Sequence, residues 1–150
     1  MSAIAIITAR GGSKRIPRKN IRRFCGKPIM NYSIEAALEA GIFDEVMVST
    51  EDDEIADIAR EAGAQVPFLR SDETSSDTAT TEEVIVEVLR RYSDMGREFE
   101  YGCCIYPTAP FVTAHKLKDA YEILVESGAQ SIVPMQEFTY PPRPAYPPPT

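Results

Sequence analysis

The sequence predicts an α/β protein: a mostly parallel sheet covered by helices on both faces. Three observations carry that prediction. Short apolar runs rich in β-branched residues alternate along the chain with segments whose apolar residues recur at helical spacing. Capping residues or glycines punctuate the helical segments, so the alternation is of separate elements. The length of 150 residues, 43% of them hydrophobic, suits one compact domain with its own core. Parallel strands need long crossover connections, which helices supply.

The elements follow in order. Residues 4–7 read as a buried first strand. Pro28 opens a helix that runs to Ala40, with Met30, Ile34, Ala37 and Leu38 on one face and Gly41 as its stop. Residues 46–48 form a second strand, and Thr50 is placed to cap a helix over residues 52–62 that Gly63 ends. Residues 66–69 read as a short third strand, at an edge because of Pro67. A polar stretch over residues 71–81 follows, in which Thr80 and Glu83 have capping-box spacing. The next helix places Ile85, Val88, Leu89 and Tyr92 on one face. Residues 101–106 read as a buried strand, Thr113 caps a last helix, and residues 131–135 read as a final strand. Six of the last ten residues are proline, which fits neither a central strand nor a helix. Residues 1–140 are therefore expected to form the ligand-binding domain, and residues 141–150 a Pro-rich tail or the start of a further part.

Charge is unevenly spread. The net charge is −7, yet the first acid is Glu35, and eight of the 16 Lys and Arg lie at or before Lys27. Residues 8–20 pack two glycines, a serine and five cations into the loop where the first strand hands over. Glycines let backbone N–H groups approach a ligand, and cations neutralise a polyanion. Open parallel sheets bind ligands beyond the C-terminal ends of their strands. The loop lies at such an end, as do Ser49, Thr50 and residues 107–110, and residues 71–81 complete the walls of one cleft. A cationic site on an otherwise acidic chain favours small anions and disfavours nucleic acid.

Two familiar phosphate loops fail on spacing. The order Gly12-Ser13-Lys14 lacks the Gly-Lys-Ser/Thr of a Walker A loop, and Gly11-Gly12 lacks the Gly-x-Gly-x-x-Gly of a dinucleotide site. The N-terminus has no signal-peptide pattern and no apolar run has membrane-spanning length, so no membrane partner is expected. Cys25, Cys103 and Cys104 are odd in number and two are adjacent, which points to a reducing cytoplasm. His115, at a helix start, reads as a solvated residue rather than a base.

Four segments, in order, resemble one family. Ala9-Arg10-Gly11-Gly12-Ser13-Lys14 with Lys19-Asn20, then Val48-Ser49-Thr50-Glu51, then Leu69-Arg70 with residues 76–81, then Tyr106-Pro107-Thr108-Ala109-Pro110 are similar to nonulosonic acid cytidylyltransferases, the CMP-sialic acid synthetase family. The resemblance covers nearly all of residues 3–140. It implies a Rossmann-like fold of the nucleotide-diphospho-sugar transferase type and a magnesium-dependent reaction. In that reaction the anomeric hydroxyl of a nine-carbon keto sugar acid attacks the α-phosphate of CTP, giving the CMP-sugar and pyrophosphate. Such products feed surface glycans or flagellin glycosylation. A homodimer is also implied.

Carried over by position, Arg10 and Lys19 would act on the triphosphate as catalytic cations, with Gly11, Gly12, Ser13 and Lys14 around its leaving end. Thr8, Ala9 and Asn20 would hold the nucleoside, Arg70 and Ala79 would read cytosine, and Thr81 would help fix the nucleotide. Tyr106 and Thr108 would face the sugar acid. Tyr106 stands where sialic acid members commonly have glutamine. With Cys103-Cys104, residues 66–70 and residues 138–143, it makes the chain look most like the pseudaminic acid branch. Sialic, legionaminic or deoxyoctulosonic acid are the alternative substrates, and a non-catalytic CTP-binding module is the alternative function. Family members are longer, and the resemblance implies that the aspartates holding magnesium lie past Thr150; no metal ligand is assigned within the chain.

Overall fold

The structure is a computed structural model that describes residues 2–135 and 137. Three parallel strands form its centre: β1 (Ala3–Thr8), β4 (Glu45–Ser49) and β5 (Tyr101–Ile105), in the order β4-β1-β5. The register aligns Thr8 with Ser49 and Ile7 with Ile105, so all three strands end at one edge. Pleating sends alternate β1 side chains to opposite faces. Ala5 and Ile7 join a core with α1 (Ile29–Ala40), α2 (Asp53–Glu61) and Leu117 of α5 (Ala114–Ser127). Ile4 and Ile6 join Met47 in a second core with Val88 and Tyr92 of α4 (Thr81–Asp94). Helices thus cover both faces, as the alternation predicts, in the Rossmann-like arrangement that the resemblance implies. The one-turn helix α3 (Asp72–Ser75) leads into α4.

Several local expectations are corrected. Residues 66–69 are not a strand. Gln65 alone bridges to Met47, its N–H donating to the Val46 carbonyl and its carbonyl accepting from Val48 N–H, before Pro67 removes the next donor. Residues 131–135 form no strand either. They are exposed, Met135 to 94%, because they meet no strand edge among the described residues. The cap of α2 is Asp52, whose carboxylate accepts from Ile55 N–H, while Thr50 Oγ1 accepts from Asp52 N–H. β5 is half-buried rather than buried, with Gly102 and Cys104 exposed. The sequence also hid a small antiparallel ribbon, β2 (Arg23–Phe24) with β3 (Lys27–Pro28). Its turn residues, Cys25 and Gly26, both have positive φ, as a tight primed turn requires. Residues 138–143 and the Pro-rich end lie outside the described residues.

Candidate functional site

The site begins where β1 and β4 end together. Ala9, fully buried, donates its N–H to the Ser49 carbonyl at 2.9 Å and carries the ladder one residue past Thr8. The chain then loops out and is pinned at three points. Gly11 N–H donates to Glu51 Oε1 at 2.8 Å. Arg18, at a positive φ of 54°, reaches back to Asp52 and Glu54. Asn20, 4% exposed, donates from Nδ2 to the Arg10 carbonyl at 2.8 Å, leaving Oδ1 buried without a partner among the described residues. The hydrogen bond from Arg18 is the main influence holding the Asp52 carboxyl below its ordinary value, against the opposing effect of burial.

Pinning sorts the five cations by role. Arg18 is committed to α2 and raised further above its ordinary value by Asp52. Arg10 Nη1 donates to Asp77 Oδ1 at 2.9 Å and to the Ser76 carbonyl at 3.0 Å, and Lys14 pairs with the other Asp77 oxygen. Lys14, then burial and Arg10, set the Asp77 carboxyl, with the net effect of holding it below its ordinary value. Arg15 and Lys19 make no ion pair among the described residues, and both are exposed. Ser13 N–H folds back to the Gly11 carbonyl, and Gly12 stands in open space.

Facing the loop is Arg70, only 8% exposed. Its Nε donates to Ser49 Oγ at 3.0 Å and its Nη2 to the Ser49 carbonyl at 2.7 Å, while its backbone N–H donates to the Thr50 carbonyl. Burial draws the guanidinium below its ordinary value, and Glu51 and Glu87 oppose that through longer-range charge. Nη1 makes no hydrogen bond among the described residues. Arg70 is thus a largely buried cation held by neutral acceptors, with its Nη1 N–H groups left to donate to a ligand.

Thr80 caps α4, and the capping box with Glu83 is present in both directions. The cap sets Ala79 and Thr81 across from Arg70. Thr8, Arg10, Arg70, Asp77, Ala79 and Thr81 line one cavity of about 160 Å³. A larger open groove, about 680 Å³, runs along α3 and α4; Glu73, Glu82, Glu83 and Glu87 outnumber Arg90 and Arg91 in its lining, and this acidic balance disfavours a phosphate chain there. Tyr106 and Thr108 follow β5 at the same sheet edge but do not line the smaller cavity. Tyr106 is 59% exposed, and its carbonyl accepts from Ser33 Oγ at 2.8 Å.

The described residues do not form a magnesium site. Among them no three His, Cys, Asp or Glu side chains gather as metal ligands. Of the acids at the cleft, Glu51 holds Gly11, and Asp77 holds Arg10 and Lys14. Among the described residues no helix is long and apolar enough to cross a membrane. Sequence reasoning left Glu51 and Asp77 without roles and did not single out Ser49 or Glu87 as ligands of neighbouring residues. Apart from the Glu87–Arg91 pair, their partners lie 13 to 67 residues away along the chain, and no local pattern announces them.

Comparison with known proteins finds relatives along nearly the whole chain. The cytidylyltransferase family model matches residues 4–140. The chain is 43% identical over 141 residues to pseudaminic acid cytidylyltransferase of Campylobacter jejuni, covering 94% of this chain and 61% of that protein. It is 36% identical to CMP-N,N'-diacetyllegionaminic acid synthase of Legionella pneumophila, with 95% and 61% covered. The chain thus spans about three-fifths of the length of these curated relatives. Among solved structures, a CMP:2-keto-3-deoxy-manno-octonic acid synthetase complexed with CTP superposes with a TM-score of 0.73 at 22% identity. That match covers 86% of this chain and 49% of the other, and it shows the shared fold. Matched over almost its whole length, the chain belongs to the cytidylyltransferase family.

Proposed function

We propose that this chain is the CTP-binding part of a nonulosonic acid cytidylyltransferase, with pseudaminic acid as the favoured sugar. The observation that carries this reading is the meeting, in one cavity, of a buried arginine with a free donor and the first cation of the phosphate loop. At 160 Å³ the cavity is below the several hundred Å³ that enclose a whole drug-sized ligand, so it takes the base while the rest of the nucleotide lies over the loop. Arg70 Nη1 donates to the carbonyl side of cytosine, and the Ala79 carbonyl accepts from its amino group. Uracil presents the wrong polarity to Ala79, and leaving polar groups unpaired is what gives such sites their selectivity.

Arg10, Lys14 and Lys19 lie along the triphosphate, with Gly12 and Ser13 beneath it and Thr8, Ala9 and Asn20 at the nucleoside. The sugar's anomeric hydroxyl oxygen forms a bond to the α-phosphorus and releases its proton to solvent, and the bond from that phosphorus to the bridging oxygen of the leaving pyrophosphate breaks. Cations carried on the pinned loop stabilise the charge on the transferring and leaving phosphates. Tyr106 and Thr108 face the sugar from the end of β5. Identity to the pseudaminic acid relative supports the choice of sugar. The complete protein is proposed to act as a cytoplasmic homodimer, which light scattering of the purified protein checks.

Pyrophosphate release from CTP and magnesium, with pseudaminic or N-acetylneuraminic acid as acceptor, tests the reading. Release with pseudaminic acid alone is the expected result. Release with N-acetylneuraminic acid alone moves the chain to the sialic acid branch. CTP binding with release from neither identifies a CTP-binding module.

A further inference from the structure

Arg70 is useful only if its backbone cannot drift, and the structure shows an uncommon device for holding it. Two residues one turn apart on α4 grip the peptide units on either side of it. Arg91 Nη1 donates to the carbonyl before it, Leu69 O, at 3.0 Å. Glu87 Oε1 accepts from the amide after it, Ser71 N–H, at 2.9 Å. The two grips are coupled, Arg91 Nε lying 3.4 Å from Glu87 Oε1, and the Arg91 guanidinium also stacks 5.0 Å over the Phe68 ring.

Glu87 does more than hold one amide. Its other oxygen accepts from Ser71 Oγ at 3.0 Å and from Thr74 Oγ1, so it ties down both ends of the first turn of α3. A helix of four residues cannot sustain itself, because nucleation costs more than one turn returns. The Glu87 side chain is 15% exposed. Without it, the segment that follows Arg70 has lost its main anchor.

The same helix carries the other half of the base cavity. Ala79 immediately precedes the Thr80 cap of that helix, and Glu87 sits about two turns beyond the cap, a rise of about 10 Å. α4 is therefore a rigid spacer with the amino-group reader at one end and the grip on Arg70 partway along.

We propose that Glu87 and Arg91 are positioning residues for base recognition, fixing Arg70 at a set distance from Ala79. The inference rests on the reading of Arg70 as the residue that reads the base. In the full chain, dissociation constants for CTP, UTP and inorganic tripolyphosphate are measured with melting curves for wild type, Arg70→Ala, Glu87→Ala, Arg91→Ala and Glu87→Gln. Glu87→Ala and Arg91→Ala are expected to weaken CTP about tenfold, the equivalent of one or two lost hydrogen bonds, and to shrink the CTP-over-UTP preference. Tripolyphosphate binding stays within about twofold of wild type. Glu87→Gln keeps an oxygen for Ser71 N–H and recovers most of the preference.

Cooperatively folded Glu87→Ala and Arg91→Ala variants with wild-type preference overturn the proposal, as does a parallel loss of tripolyphosphate and CTP binding. Arg91 is half-exposed, so Arg91→Ala carries the test if Glu87→Ala does not fold. If Arg70→Ala itself keeps the preference, the reading of Arg70 is what fails.

Discussion

Replacing Gly11 with alanine would place a methyl carbon 2.7 Å from Asp52 Oδ2, 3.0 Å from its Cβ and 3.2 Å from its Cγ. Rotating the carboxylate relieves only the first of these contacts, because Cβ is fixed by the backbone of the α2 cap. Asp52 must therefore shift, and it does two jobs: it accepts from Ile55 N–H at 3.0 Å as the cap, and it pairs with Arg18. Loss of an Asp cap costs about 1 kcal/mol, and a half-exposed ion pair adds about 0.2–1 kcal/mol. A total of about 1–2 kcal/mol lowers the melting temperature of a chain this size by roughly 2–8 °C. Calorimetric melting of wild type, Gly11→Ala, Asp52→Gly and the double variant measures it. Because the clash is with the Asp52 side chain, its Cβ included, alanine at position 11 should cost little once glycine stands at position 52, leaving a coupling of about 1 kcal/mol. Equal costs in both backgrounds would refute the reasoning. Gly12 is the control: a Cβ there meets nothing within 4 Å, so Gly12→Ala should melt like wild type and, if the triphosphate lies over it, bind CTP more weakly.

Three further predictions follow from the same contacts. Asp77 occupies Arg10 and Lys14 when no nucleotide is present, so a triphosphate must displace it; Asp77→Asn should tighten CTP binding about two- to fivefold at low salt, less at high salt. Weaker binding in calorimetric titration would show instead that Asp77 serves the ligand. Asp52, held below its ordinary value of 3.8 by Arg18, contributes stability above that value and loses it as pH falls through its lowered one. The melting-temperature gap between wild type and Asp52→Asn should accordingly close below about pH 4; a constant gap contradicts the pairing. Burial pushes the Cys103 thiol up to about 11, so at pH 8 iodoacetamide should label exposed Cys25 first and Cys103 last, which peptide mass spectrometry reads directly.

What could be read from the chain alone follows from where its information is local. β1 and the loop after it stand out because apolar and cationic runs abut, and the Thr80–Glu83 box is visible because both partners lie within one turn. The third and final strands were misread because strand character at residues 66–69 and 131–135 depends on a neighbouring edge, which propensity does not report. The ribbon at residues 23–28 escaped because two-residue strands have no period and Cys25 gives no sign of a positive φ. Positions 10, 70 and 79, singled out through resemblance, line one cavity, while the contacts of the acids at 51, 77 and 87 had no sign in the sequence. Each acts across a long stretch of chain, and only the fold decides which base or amide an acid meets.

The central claim is that Arg70 and the cap of α4 select cytosine while the loop holds the phosphates. Thermal-shift titration of the full chain with CTP, UTP, ATP and GTP in magnesium, for wild type and Arg70→Ala, tests it most directly. The account predicts the largest shift with CTP, and a loss of that preference in Arg70→Ala with tripolyphosphate binding retained. Equal shifts with all four nucleotides in the wild-type protein would contradict it.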